Sequence, residues 1–595
     1  PRSTPIKSSA ASDVYKRQRL NKIKNLFVVL TLGLSTHSCL DLEPQEQLAE
    51  TNYWNTPDDY LLFANQFYGW TRHFSGAMEY KSTKPVHSDY TSDLFTNKDE
   101  RNLFSNGSNA VQPADANYTS NYSHIRRTNL LLKNAESYAT PSDIAQYVGE
   151  AKFFRAYSYF DLLQLYGNAI LVKEPMEVTD ARMYVKQNDR SEVADFIIKD
   201  LKEAVPLLPK FSEIQEYGRI SREGCQAFLS RVALYEGTWQ KSRGNVERGK
   251  ELLDIAAKAA KDVIDSKTFS LFKPEALGDS AQKYMFILED AKSNPAGLQK
   301  SANKEYIFAR RFDEILAPIN WNITQSSLYN AIWISRKFAN MYLCQNGLPI
   351  TYGGKTNPQF KGYMKIDDEF QDRDNRMRYT MMRPHDNFWN NQKPRTSWDG
   401  KDKNPYISNF VPKTGTGYHN QKWATERKVE DKKEGYDFPI IRYAEVLLNY
   451  AEAVYERDDK ISNTDLNISL NLVRLRVNPA MTPLTNELIT QNAGMDMRTE
   501  IRRERTIELF NEGFRLDDLK RWKTAETEMP MDIVGIQWKG TEYEKVWANC
   551  PYETNAEGCI IIEKGRKWEE KNYLFPLPSD QLQLNPNLQQ NPGWE

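Results

Sequence analysis

Apolar residues recur at three- and four-residue intervals in two blocks, one ending near residue 265 and one beginning near residue 437. Between the blocks that rhythm is lost. In the first block the spacing predicts an entry helix within Glu50–Trp70, with Thr56 as N-cap and Pro57 at the first helical position. Further helices are predicted over Ile125–Ala139, Ser142–Tyr166, Ser191–Leu207, Ser221–Trp239 and Val246–Ile264, with Gly167 ending the third of the series. Small residues (Ala151, Ala156, Ala227, Ala233, Ala256, Ala260) sit beside large aromatics in these stretches. That mixture suits close antiparallel helix pairs of tetratricopeptide-like type, although no strict ~34-residue repeat is visible. The stripe Phe153, Phe154, Tyr157, Phe160 reads as core. The second block predicts helices over Asp437–Glu456, Ser469–Asn478 and Met497–Trp522. In the last of these, Ile501, Leu509, Phe510, Phe514, Leu516, Leu519 and Trp522 alternate with Arg and Glu, and Glu504 and Glu508 lie one turn apart. A half-buried ion-pair network that fixes helix register follows from this pattern, with a kink or helix end at Gly513. The fold class is therefore mainly all-α: a helix-pair superhelix with an irregular, loop-rich insertion carrying short strands.

The middle is different in kind. From 266 to 436 Gly, Pro and Asn rise, and turns are predicted at Asn346-Gly347, Gly353-Gly354 and Asp399-Gly400. Five of the thirteen tryptophans fall there (Trp321, Trp333, Trp389, Trp398, Trp423), mostly among polar loop residues where core packing does not explain them. The segment 71–117 is similar. The chain thus divides into 1–38, a leader; 39–265, helical with the inserted loop 71–117; 266–436, irregular; and 437–595, helical with an extended tail.

Charge narrows the function classes. Lys and Arg number 79 against 80 Asp and Glu, so nothing marks a nucleic-acid partner. Six histidines and five cysteines show no metal-ligand spacing, and no metal or cofactor is expected. Cys550 and Cys559 could close a hairpin disulfide in an oxidising compartment or stay reduced. No nucleophile elbow, Walker loop or zincin motif occurs, so no catalytic residue is assigned. Carboxylate pairs for glycoside hydrolysis are invisible in sequence, which leaves a surface hydrolase as a lesser alternative.

The N-terminus carries an address. Residues 1–18 fit no targeting or folding pattern. Arg19, Lys22 and Lys24 then precede a nine-residue apolar run, Leu26–Leu34, too short to span a bilayer but suited to a secretory signal. Ser38 before the lone Cys39 has the form of a lipobox, with Thr36 where Leu is usual. Cys39 is therefore the expected lipidation site and membrane anchor.

Several blocks resemble the SusD/RagB family of outer-membrane lipoproteins: YWNTPDDY from Tyr53, EAKFFRAYSYFDLLQLYG from Glu150, DFPIIRYAEVLLNYAEA from Asp437, SLNLVRLRVN from Ser469, ERTIELFNEGFRLDDLKRW ending at Trp522, and the tail from Tyr573 to Trp594. Phe370–Met377 resembles a family turn, with Asn375 where Pro is usual. The resemblance implies a cell-surface, lipid-anchored protein of the bacterial outer membrane. Such a protein captures an oligosaccharide and delivers it, as a lid, to a TonB-dependent SusC-like transporter. Peptide or another non-sugar nutrient, as in RagB-like members, is the alternative cargo. The helical face would meet the transporter and the irregular face the sugar. Trp321, Trp389 and Trp398 are the expected stacking platforms, with Tyr90, Asp89, Asp93 and Asn322 as polar partners. A sugar ring on an indole buries ~100 Å² of apolar surface, about 2–3 kcal/mol. Two or three such contacts give micromolar to millimolar affinity after association costs.

Overall fold

The computed structural model describes residues 53–74, 87–97, 102–177, 180–328, 332–383, 386–389, 394–396, 415–430 and 432–595, with backbone alone at 183 and 394–396. Cys39, the leader 1–38 and Trp398 lie outside these residues.

The helical body starts with α1, Pro57–Asn65, opening on Pro57. It continues with α2 (Ala116–Ala135), α3 (Ala145–Tyr166), α4 (Arg190–Ala204), α5 (Arg222–Ser242) and α6 (Val246–Asp265). After the irregular middle come α7 (Tyr443–Asp458), α8 (Met497–Glu508) and α9 (Arg515–Arg521). Each of α2 to α8 packs on its neighbour in this series, the arrangement of stacked helix pairs. The series runs α6 onto α7 across the whole irregular stretch. Sixteen of the 22 residues of α3 are buried, on all sides, so α3 is a central helix rather than an amphipathic surface one. Its C-terminus turns at Gly167 with φ +76°. Helices α5 and α6 approach so closely that a Cβ on Gly237 would sit 3.1 Å from the Gly249 carbonyl oxygen, and one on Gly249 would sit 2.9 Å from that of Gly237. Ala256 and Ala260 are fully buried on α6.

Strands are short, and each sheet is an antiparallel pair. β1 (Phe95–Asn97) pairs with β3 (Ile332–Ile334) in the register Thr96 to Trp333. β2 (Tyr306–Arg310) pairs with β6 (Phe438–Arg442), tying the irregular stretch to the strand that feeds α7. β4 (Asn387–Trp389) pairs with β5 (Pro394–Thr396), and β7 (Ile533–Gln537) with β8 (Cys559–Glu563). Residues 57–595 cluster as one unit. An aromatic core inside it joins both inserted segments to the helices: Phe95 stacks on Phe510 at 4.9 Å, and Phe510 on Phe338 at 3.8 Å. The tail lies as extended backbone over α3, where Phe575 N–H donates to Leu165 O and Asn591 Nδ2 to Tyr166 O. Cys225, Cys344, Cys550 and Cys559 are free thiols. No helix among the described residues is long and apolar enough to cross a membrane.

The charged helix near the C-terminus is broken in two, α8 and α9, by a turn in which Asn511 and Gly513 take positive φ. Gly513 stands at φ +85°, and a Cβ there would lie 2.7 Å from the His87 carbonyl oxygen. The ion pairs around Glu504, Glu508 and Glu512 are fully buried, while Arg498 and Arg502 on α8 are partly exposed. Arg442 donates to Glu305 at 2.8 Å, to Glu508 at 2.7 Å and through two nitrogens to Glu512 at 2.7 Å. Arg476 bonds Glu305 and Glu508, and Arg376 bonds Glu508 and Glu504. Burial pushes the Glu508 carboxyl up, but Arg476, Arg442 and Arg376 outweigh it and hold its pKa far below the usual carboxylate range.

Candidate ligand-binding face

The irregular stretch is rooted in this network. Glu305, Arg376 and Lys422 all come from it, and Lys422 bonds Glu512 at 2.6 Å and the Phe510 carbonyl. Burial brings the Lys422 ammonium down to about 8, against the pull of Glu512. On this footing, segment 421–427 gathers pieces distant in sequence. The Thr425 amide donates to Thr324 Oγ1 at 3.0 Å, and the Trp389 amide donates to the Thr425 carbonyl at 3.1 Å. The short helix Ile323–Ser327 and β4 are thereby joined, with Leu328, Met382, Phe388 and Ala424 forming a small apolar cluster beneath. Glu434 accepts from the amides that start the short helix.

Beside this junction lie the half-exposed ring of Tyr379 and the buried ring of Tyr284, flanked by paired charges. Tyr379 Oη donates to Asp279 at 2.9 Å, and the Arg378 guanidinium sits 5.0 Å from the Tyr379 ring centre. Lys283 Nζ bonds Glu426 at 2.8 Å, and Tyr284 Oη donates to the same carboxylate. A shallow cleft of about 10 Å³ between them is lined by Lys283, Phe286, Tyr379, Gln421, Lys422 and Trp423. Planar rings with hydrogen-bonded charges at their edges can stack on a flat apolar surface and direct donors at hydroxyl groups.

The seven expected contacts fare differently. Trp321 and Asn322 are half-buried at the start of the short helix, Trp321 resting on the core and Asn322 Oδ1 accepting from the Lys432 amide at 2.7 Å. Trp389 is only 3% exposed, so it packs inward from β4. Asp89, Tyr90 and Asp93 are interior, 1%, 6% and 1% exposed, which corrects their expected place on a sugar-binding surface. Asp93 takes a two-pronged bond from Arg515, 2.8 Å at each oxygen, and a third from Lys337 at 2.6 Å. Asp89 accepts from the Arg515 amide at 2.9 Å and caps the turn between α8 and α9. Their role is to dock the first inserted segment on α9. Tyr379, Arg378, Asp279, Lys283 and Glu426 escaped sequence reasoning because Asp279 and Tyr379 are 100 positions apart and no local pattern joins them.

A family model described as the SusD family matches residues 289–594, just over half of the chain. The chain belongs to the SusD family. A second model, described as "Starch-binding associating with outer membrane", matches residues 40–234. Together the two SusD-type matches cover the first helical block up to residue 234, most of the irregular stretch and the second helical block, with 235–288 outside both. Among curated relatives, SusD-like protein P38 of Formosa agariphila is 25% identical over 231 residues, 36% of this chain and 43% of that protein. A SusD-like protein of Bacteroides ovatus is 30% identical over 124 residues, 21% of each chain. The matched region thus spans under half the length of these relatives. Among solved structures, a SusD-like carbohydrate binding protein from Bacteroides fragilis superposes with a TM-score of 0.69 at 21% identity, covering 90% of this chain and 99% of that one. A second SusD-like protein of the same species gives 0.68 at 20%, covering 93% and 100%. These likenesses establish the helix-pair fold.

Proposed function

We propose that this SusD-family chain captures an oligosaccharide at the outer surface of a bacterial outer membrane and passes it to a TonB-dependent, SusC-like transporter, moored by acyl chains on Cys39. The observation that carries this reading is the pair of family matches, one described as starch-binding and outer-membrane-associated. The geometry agrees: half-exposed Trp321 and Tyr379 stand with paired charges on a face rooted in a buried ion network. Trp398 joins them as a platform on sequence grounds. The role is binding and hand-over without catalysis.

A glycan array followed by titration calorimetry on the full chain tests it. A glycan bound in the micromolar to millimolar range, weakened about tenfold or more by Trp321→Ala with Tyr379→Ala, is the expected result. Retention of peptides and of no glycan shifts the reading to non-sugar cargo, and release of reducing ends by the purified chain shifts it to a hydrolase. Loss of metabolic fatty-acid labelling in Cys39→Ser tests the anchor. Co-purification of a TonB-dependent barrel with the tagged chain tests the partner.

A further inference from the structure

A second cleft lies where the loop 211–219 faces β2. It is shallow and open, with about 50 Å³ of room, and is lined by Phe211, Tyr217, Gly218, Arg219, Phe308 and Arg311 among others. An adjoining niche of about 10 Å³, reaching Lys300, Asn303 and Asp437, shares Tyr217, Tyr306 and Arg311 with it. Tyr217 is 63% exposed, an unusual state for a large ring. The Arg311 guanidinium lies 4.2 Å from its centre on one side, which holds the ring while leaving most of it open.

Arg311 is the cation at this place with donors to spare. Asp437 is a single carboxylate between two cations, 2.7 Å from Lys300 and 3.0 Å from Arg311, and also accepts from the Phe312 amide. Arg219 is taken up by Glu150 and Glu216, Glu213 faces Lys210, and Asp313 accepts from the amides of Ile315 and Leu316. Arg311 carries five N–H donors, and 34% of its side chain is exposed, so its one ion pair leaves donors for an incoming anion. Positive charge is in excess along the adjoining stretch. Residues 266–436 hold 27 Lys and Arg against 19 Asp and Glu, while the rest of the chain holds 52 against 61. The described residues of that stretch alone hold 23 against 16. A near-neutral protein has thus concentrated its positive charge in one stretch, which draws anions toward it.

We propose that the Tyr217–Tyr306–Arg311 cleft binds a sugar unit bearing a carboxylate or sulfate group, so that the glycan captured is acidic. The sugar ring lies on Tyr217, and its anionic group takes a forked bond from Arg311. This inference rests on the glycan reading above and names the class of glycan.

Titration of the full chain with oligogalacturonate, a sulfated galactan oligosaccharide, a neutral gluco-oligosaccharide and polyglutamate, at low and high salt, is the test. One acidic glycan binds, and which one separates carboxylate from sulfate. Its affinity falls with salt and drops about tenfold in Tyr217→Ala and in Arg311→Gln, both exposed enough to leave the fold intact. Equal binding of polyglutamate, or an affinity unmoved in both variants, overturns the cleft. Binding of the neutral glycan with rejection of both acidic ones overturns the acidic class and leaves glycan capture standing. No binding of any glycan, here or on the array, removes both.

Discussion

Replacing Arg442 with Met isolates what the buried ion network contributes. Methionine keeps the unbranched stem and fills most of the space, so the loss is the guanidinium and not a cavity. Five hydrogen bonds go with it: to Glu305, to Glu508, two to Glu512, and one to the Glu508 carbonyl. None of the three carboxylates is orphaned, because Glu305 keeps Arg476, Glu508 keeps Arg476 and Arg376, and Glu512 keeps Lys422. Breaking a buried pair from one side costs about 3–5 kcal/mol, and the remaining partners place this case at the low end, about 3 kcal/mol. For the unit spanning 57–595 an unfolding entropy of about 2.1 cal/mol/K per residue gives about 1.1 kcal/mol/K, so Tm should fall by about 3 °C. Scanning calorimetry at pH 7 reads this directly. The control is Lys133→Met, whose partner Glu136 is 66% exposed, so that solvent screens the pair and its loss should leave Tm nearly unmoved. If Arg442→Met lowers Tm no more than Lys133→Met does, the network is not what holds the irregular stretch to α8.

Three further outcomes follow from the same interior. Lys520 is 2% exposed with one hydrogen bond, 3.4 Å to the Gln164 carbonyl, and burial, against the pull of Asp517, brings its ammonium from 10.5 down to about 8. Between these values the unfolded chain holds the extra proton, so the charged form is a liability at neutral pH; Lys520→Met should raise stability by about 1–3 kcal/mol at pH 7 and by nothing above pH ~10.5, measured by denaturant midpoints. In acid the sign reverses for Glu508 and Asp93, whose folded pKa values lie below 4.5 and 3.8: the unfolded chain takes up protons first, and stability falls as pH drops below those values. Asp89, raised to about 6 by burial, has the opposite sign, so Tm should rise slightly as pH falls from 6 toward 4.5 before collapsing below it; an unchanged acid slope in Glu508→Gln would count against the assignment. Gly513→Ala forces a Cβ into the 2.7 Å gap to His87 at φ +85° and should cost about 1–3 kcal/mol in a chemical melt.

Helix existence was legible because it rests on local signals. Pro57 opens α1, and Gly167 ends α3, where the spacing placed them. Boundaries slipped where the local signal was polar: α2 starts at Ala116, well before Ile125, because Asp115 caps it by accepting from the Asn117 amide and its first turns carry few apolar residues. The long charged stretch was read as one helix with a kink or end at Gly513, and it is two. The site was much less legible. Asp89 and Asp93 look like loop polars because their partner Arg515 stands 422 positions from Asp93. Tyr217 was within reach: it is an aromatic among polar loop residues, the criterion that selected the tryptophans, applied to one residue type only. Trp423 meets that criterion too and is core, with its Nε1 donating to the Asn511 carbonyl at 3.0 Å, so polar neighbours in sequence do not imply water in the fold.

The division of labour follows from where the charges are anchored. Glu305, Arg376 and Lys422 fix the roots of the irregular stretch to Glu508 and Glu512, and Asp93 fixes the first inserted segment to Arg515, all inside the body. Tyr217, Trp321 and Tyr379 stand outside that lattice and share no ion pair with it. Sites without shared partners behave additively, so binding and stability should separate. Substitutions at the rings would change what is held and leave Tm in place, while substitutions at Arg442 or Glu508 would lower Tm and weaken binding only through unfolding. A fold built this way can exchange cargo by altering rings and loop charges without reopening its core, which is why the helical blocks identify the family and the loops must be read for the ligand.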